Sequence, residues 1–241
     1  MTGTALLIVA GTLASMAFNP FKARKRALMA QSMNSGRQIK LCLDSFAMDN
    51  DGVYPSAETA EFYELPKDGK WSNDLFRQLF ASGNTNSERI FWVKGAKVCS
   101  PKVPDDIITI KGGRFAPEET LQAGDCGWAY IQKQTNTDNP SRPILLDAFK
   151  PGGSEFDRKL WDDSVIVVRI DGSVKAMPLD AKGTLQEDGE DILSAKAAMW
   201  KPGGGVPAKL LMQPEPSRAE VPAKPAEQKP AAPAQNQPSQ E

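Results

Sequence analysis

An uncharged apolar run, residues 3 to 18 (GTALLIVAGTLASMAF), places the strongest limit on how this chain can fold, because a basic and polar stretch follows it at once. The run falls slightly short of the ~20 residues that cross a bilayer as a helix. It completes a span if the helix continues past Phe18, which predicts a transmembrane segment over 1–20 with Leu6, Leu7, Ile8 and Val9 packing against other helices in lipid. Two other readings fit the same residues. Ser15 and Ala17 form a small-x-small cleavage pattern after a short apolar region, as in a signal peptide, although no Lys or Arg precedes the run. A buried core helix is the third.

Charge sharpens the picture. The chain has 29 Lys and Arg against 30 Asp and Glu, yet Lys22, Arg24, Lys25, Arg26, Arg37 and Lys40 fall between Pro20 and Leu43 with no acid among them. The remainder is therefore acidic. No aromatic residues interleave with the basic cluster, so it points to solvent or lipid headgroups, and no nucleic acid partner is expected. Positive charge following a span would by itself hold the downstream domain in the cytoplasm.

The 241 residues contain no histidine. That removes the usual base near neutral pH, the commonest zinc ligand and every triad built on imidazole. No G-x-S-x-G or phosphate-loop frame is present, and KGGR (111–114) and KPGGG (201–205) read as turns. A non-enzymatic protein is expected. Cys42, Cys99 and Cys126 are too widely spaced for a zinc ribbon or a C-x-x-C pair; in an exported domain Cys99 and Cys126 are the expected disulfide.

Beyond Pro20, Ile39, Cys42, Leu43 and Phe46 recur at helical spacing, so residues 21–48 should continue the helix and fasten a globular domain through Ile39, Leu43 and Phe46. SNDLFRQLF (72–80) predicts a second helix with Leu75, Phe76, Leu79 and Phe80 on one side and Gly83 as its stop. Strands are expected at 89–93, 107–111, 127–133 and 143–149. Asp171-Gly172 predicts a two-residue hairpin turn between SVIVVRI and SVKAMPL, and a short helix is expected at 190–200. The fold expected is α+β, a long helix on a small antiparallel sheet over 49–200, with a disordered Pro/Ala-rich tail from 201 to 241.

In SFAMDNDGVYP (45–55), Asp49, Asp51 and Glu58 keep the register of a calcium loop, but Ala47 occupies the leading ligand position and Pro55 offers no side-chain oxygen. The ligand count favours helix termination at this point, with Asx turns and Gly52 at positive φ, over a bound calcium ion. No other cofactor is expected.

These residues also carry a resemblance. NSGRQIKLCLDSFAMDNDGVYP (34–55), preceded by an apolar helix and a proline, resembles the start of type II secretion pseudopilins and type IV pilins. It is most similar to the prepilin-like group named for a His-x9-Asp-Gly motif. Weaker similarities follow at VCSP (98–101), GWAYI (127–131), PILLDAF (143–149) and RIDGSV (169–174). Trp161 stands where that group has its His, and Ser173 replaces a second one. The N-terminus is atypical as well: Gly3 lacks a basic leader, Thr4 follows it, and Ile8 stands where the family has Glu.

The resemblance implies a pilin-like fold and a membrane-anchored structural subunit of a secretion or pilus-like assembly. Its partners would be other pilin-like subunits or inner-membrane secretion components. The implied placement is single-pass in the inner membrane, with the domain periplasmic or extracellular. A monomeric tethered or secreted binding module of the same fold is the competing expectation, and the atypical N-terminus favours it.

Overall fold

Helix α1 (Pro20–Asp49) organises the domain. Ala, Lys, Arg, Leu, Met and Gln dominate its sequence, and these residues lose little side-chain freedom in a helix. The computed structural model describes residues 20–111, 114–201 and 210–217. Ser32, Gly36, Ile39, Lys40, Leu43, Phe46 and Ala47 form the buried stripe of α1, recurring at three- and four-residue steps. Ile39, Leu43 and Phe46 are fully buried. Helices α2 (Ala57–Ala60) and α3 (Ser72–Ala81) follow. The Asp74 carboxylate accepts the backbone N–H groups of Lys70 and Trp71 at the start of α3, and Leu75, Phe76, Leu79 and Phe80 are buried along it. Gly83, at φ 77°, stands just past its end.

The main sheet is antiparallel and ordered β6-β5-β4-β3-β9. Its strands are β3 (Ala129–Ile131), β4 (Pro143–Leu146), β5 (Ser164–Arg169), β6 (Val174–Pro178) and β9 (Leu211–Met212). Two small hairpins, β1 (Ile110–Lys111) with β2 (Arg114–Phe115) and β7 (Gln186–Glu187) with β8 (Glu190–Asp191), lie outside it. β3 and β4 are buried at every residue, as strands are when both faces are covered. α1 lies along β5 and β6. Its contact with the sheet depends on Gly36, where an added Cβ would come within 2.9 Å of the Trp128 ring and 2.9 Å of a Val168 methyl.

Several local expectations are corrected. Residues 89–93 form turns, because the segment is pinned by short-range bonds such as Phe91 N–H to Glu88 O and Trp92 N–H to Arg89 O. The β5–β6 connection is not a two-residue turn. Gly172 N–H closes onto Arg169 O and only Gly172 adopts positive φ (81°), the geometry of a three-residue loop with a bulge. The two-residue turn with consecutive positive φ occurs at Asp188-Gly189, at 51° and 79°, between β7 and β8. The helix expected at 190–200 is instead β8 followed by a single 3-10 turn at Ala198–Trp200, whose indole N–H donates to Ile192 O at 2.8 Å.

The tail expectation is corrected as well, since residues 210–217 belong to the domain. β9 pairs with β3, Ser72 N–H donates to Gln213 O, Gly124 N–H to Glu215 O, and Ser217 N–H to Val98 O. Pro214 and Pro216 alternate with Glu215 and Ser217, so prolines fall between the residues whose N–H groups find acceptors. The rest of the expected tail, 202–209 and 218–241, lies outside the described residues, apart from Lys201.

The single-pass inner-membrane placement is also corrected. Among the described residues no helix is long and apolar enough to cross a membrane. α1 is long enough, but its Lys and Arg residues and its alternation of buried and exposed faces make it a surface helix. The run at 3–18, with Leu6, Leu7, Ile8 and Val9, lies outside the described residues.

Replacing Gly36 by Leu forces the helix off Trp128 and Val168. The expected loss is about 1–3 kcal/mol, a fall in Tm of roughly 2–4 °C per kcal/mol for a chain of this size. Thermal unfolding followed by circular dichroism measures it, and an unchanged Tm refutes the close approach.

Candidate assembly surface

The face of α1 opposite the buried stripe is the most distinctive surface of the domain. Ala27, Asn34, Leu41 and Met48 recur every seven residues and are all exposed, Leu41 at 68% and Met48 at 80%. A seven-residue repeat drifts only ~20° per heptad on a straight helix, so the four side chains form one seam. A groove of about 610 Å³ follows this seam from Ala27 to Gln38, walled on its far side by Ser87, Arg89 and Ile90. Small residues, Ala27, Ala30 and Ser35, let a partner backbone approach along it, and Leu41 and Met48 continue it with apolar contact.

The first turns of α1 form a basic arm. Lys25 Nζ donates to Lys159 O at 2.7 Å and to Asp162 Oδ1 at 2.5 Å, which ties the arm to the segment leading into β5. Arg24 and Arg26 flank Lys25 on either side, are exposed, and form no ion pair among the described residues.

At its other end α1 stops within SFAMDNDGVYP. Asn50 Nδ2 donates to Phe46 O at 2.8 Å, Gly52 N–H to Ala47 O at 2.7 Å, and Asp51 and Gly52 take φ of 52° and 83°. These bonds satisfy carbonyls that the last turn leaves open. Gly52 is required twice, because a Cβ there would also meet Asn136 Oδ1 at 2.7 Å. Tyr54, fully buried, donates its hydroxyl to Asp44 Oδ1 at 3.0 Å, and the nearly buried Lys40 pairs with that same carboxylate. Burial, followed by the charge of Asp44, raises the Tyr54 phenol well above its ordinary range.

Asp49, Asp51 and Glu58 are exposed, and among the described residues no group of three Asp, Glu or Cys side chains is placed to hold a metal ion. The backbone of the loop ends the helix and pairs with the 134–136 segment, where Asn136 N–H donates to Gly52 O and Tyr54 N–H to Gln134 O. The expected Cys99–Cys126 disulfide is not made: both thiols are free and buried. Cys126 Sγ is engaged with Trp128 O at 3.4 Å, and burial pushes this thiol up to about 12. Burial raises Cys99 still further.

A feature missed in the sequence lies inside the sheet. Trp161 donates its indole N–H to Asp147 Oδ2 at 2.7 Å, and Ile166 N–H donates to Asp147 Oδ1 at 2.8 Å. Asp147 is fully buried, and desolvation pushes its carboxyl up to about 7 against the two donors that favour the anion. Asp at the end of an apolar strand was the only signal.

No family model, curated protein or solved structure matches this chain.

The raised Asp147 has a signed consequence. From about pH 4 to pH 7 the folded chain holds a proton there that the unfolded chain releases, so stability falls as pH rises through this window and levels off above it. Asp147→Asn should flatten that fall by on the order of a few kcal/mol. Denaturant unfolding of both proteins across the window provides the check, and parallel curves would contradict the assignment.

Proposed function

We propose that this protein is a pilin-like structural subunit that performs no chemistry and assembles with other subunits through the outer face of α1. One observation carries the reading: a helix of 30 residues buries a single stripe on its own domain and keeps an opposite seam with heptad spacing, two large apolar side chains and an adjoining groove. Isolated exposed apolar residues are ordinary on any surface. Here Leu41 and Met48 fall seven residues apart on one line of α1, beside a groove lined with small residues. The resemblance at 34–55, which spans the packed half of α1 and its terminating turn, supports the same reading, as does the α+β arrangement of a long helix on an antiparallel sheet. The class of partner follows from the seam: another helix with small and apolar residues, supplied by a further subunit.

Changing Leu41 and Met48 together to Lys should leave Tm within about 1 °C, since both side chains are exposed and substitutions at such positions usually cost little. It should weaken association of the full chain by roughly tenfold, from ~1.4 kcal/mol of lost apolar contact. Sedimentation velocity across a concentration series is the measurement. A wild-type chain that stays monomeric throughout would sink the assembly role and favour a binding module that acts alone.

A further inference from the structure

Residues 213–217 show what kind of chain this domain holds. Pro214 and Pro216 are buried, and the residues beside them make the bonds. Ser72 N–H donates to Gln213 O at 2.8 Å, Glu215 N–H to Asn73 Oδ1 at 2.9 Å, Gly124 N–H to Glu215 O at 3.0 Å and Ser217 N–H to Val98 O at 3.0 Å. A segment with proline at every second position is thus bound through the backbone groups that proline leaves available. Glu215 and Ser217 are also part of the wall of a cleft of about 610 Å³, so the last described residue, Ser217, stands at that cleft.

Trp71, Gln122 and Glu215 supply the open chemistry of the cleft. Among the described residues the Trp71 indole N–H and the Gln122 side-chain amide have no hydrogen-bond partner, and the Glu215 carboxylate has no ion pair. The other charges in the wall are occupied. Arg77 donates to Asp74, Thr120 O and Leu121 O, and Glu118 lies 3.6 Å from Lys111. The cleft therefore presents an aromatic ring, two uncharged N–H donors and one free carboxylate. A proline-rich chain complements that set: its rings stack on aromatic side chains, its carbonyls have no internal partners, and it carries few N–H groups that need acceptors.

We propose that Val221-Pro222-Ala223-Lys224-Pro225 of the same chain docks in this cleft, with its prolines on the Trp71 ring, its carbonyls accepting from Trp71 Nε1 and Gln122 Nε2, and Lys224 paired with Glu215. The occupant is argued from where the described chain stops and from charge. Only Arg218 to Val221 separate Ser217 from Pro222, a reach of roughly 12 Å at ~3.1 Å per residue. A tether that short holds the segment at an effective concentration of about the millimolar range. Arg218, Lys224 and Lys229 outnumber Glu220 and Glu227 there, opposite in sign to the free Glu215 carboxylate. The aromatic contact supplies affinity, and the exposed ion pair fixes direction. The contact fastens the start of the tail beside the first turn of α3. It makes no use of the α1 seam and is independent of the assembly reading.

Nuclear magnetic resonance of the nitrogen-labelled full chain reads the Trp71 indole N–H, assigned with Trp71→Phe. Pro222→Gly/Pro225→Gly should move that resonance by more than its linewidth, while the Trp200 indole, bonded to Ile192 O, stays in place. Lys224→Glu replaces the double change should that variant fail to melt like wild type, and it should move the same resonance. A Trp71 resonance that stays where it is in the wild type overturns the docking. A wild-type resonance that shifts on dilution puts the tail of a second copy in the cleft and overturns the contact within one chain. Neither result bears on the helix-face assembly, which the Leu41→Lys/Met48→Lys variant decides.

Discussion

The seating of α1 on the sheet is the contact on which the rest of the molecule depends. At Gly36 the helix backbone comes down onto Trp128 of the segment entering β3 and Val168 of β5, and an added methyl-sized group would overlap both. From that point Ile39, Leu43 and Phe46 descend into the same core as Trp128, Tyr130 and the β4–β5 apolar residues. Close packing leaves little freedom in such an interface, since interiors have the density of organic crystals. The seating also decides which face of α1 is left over. Because the buried stripe is fixed, the seam of Ala27, Asn34, Leu41 and Met48 lies on the exposed side of α1.

Polar groups hold the ends of this arrangement in place. The turn after α1 places Tyr54 so that its hydroxyl and Lys40 share the Asp44 carboxylate, while Tyr130 reaches back to Pro55 O at 2.9 Å. Arg169, nearly buried, ties β5 to the 141 loop through Ser141 O and to the β7–β8 hairpin through Glu187. Lys40 and Arg169 are nearly buried while their carboxylate partners reach solvent, so removing either carboxylate strands a buried cation. These networks explain how short strands, β7 and β8 at two residues each, keep a defined position outside the main sheet.

Much of the fold was legible in local pattern. The stripe at Ile39, Leu43 and Phe46, the cluster at Leu75 to Phe80 with Gly83 beyond it, and the termination of α1 at Asp51-Gly52 follow from helical spacing and from the conformations open to Asn, Asp and Gly. What pattern could not show was pairing across distance. RIFWV has strand composition, yet among the described residues no strand pairs with it and it folds into turns. Leu211 and Met212 sit within a Pro-rich, weakly apolar stretch, and become a strand only because β3 presents an open edge to them. Cys99 and Cys126 were the expected pair in an exported domain, whereas both thiols are free and buried, with Cys126 Sγ engaged with Trp128 O. Of the candidate site, the basic arm was visible as composition; the seam was not, because Leu41 and Met48 are indistinguishable from core residues until the opposite stripe is known to be the buried one.

The sequence by itself determined the long helix, where it ends, the antiparallel β content and the absence of imidazole chemistry, since each of these follows from residue identity and nearest-neighbour spacing. Only the tertiary structure decided the five-strand order, the recruitment of residues 210–217, the burial of Asp147 against Trp161 and the outward face of α1. The physical reason is the same in each case. Burial and strand pairing are properties of two segments at once, and their free energy depends on surface and hydrogen-bond partners that no single stretch of sequence contains.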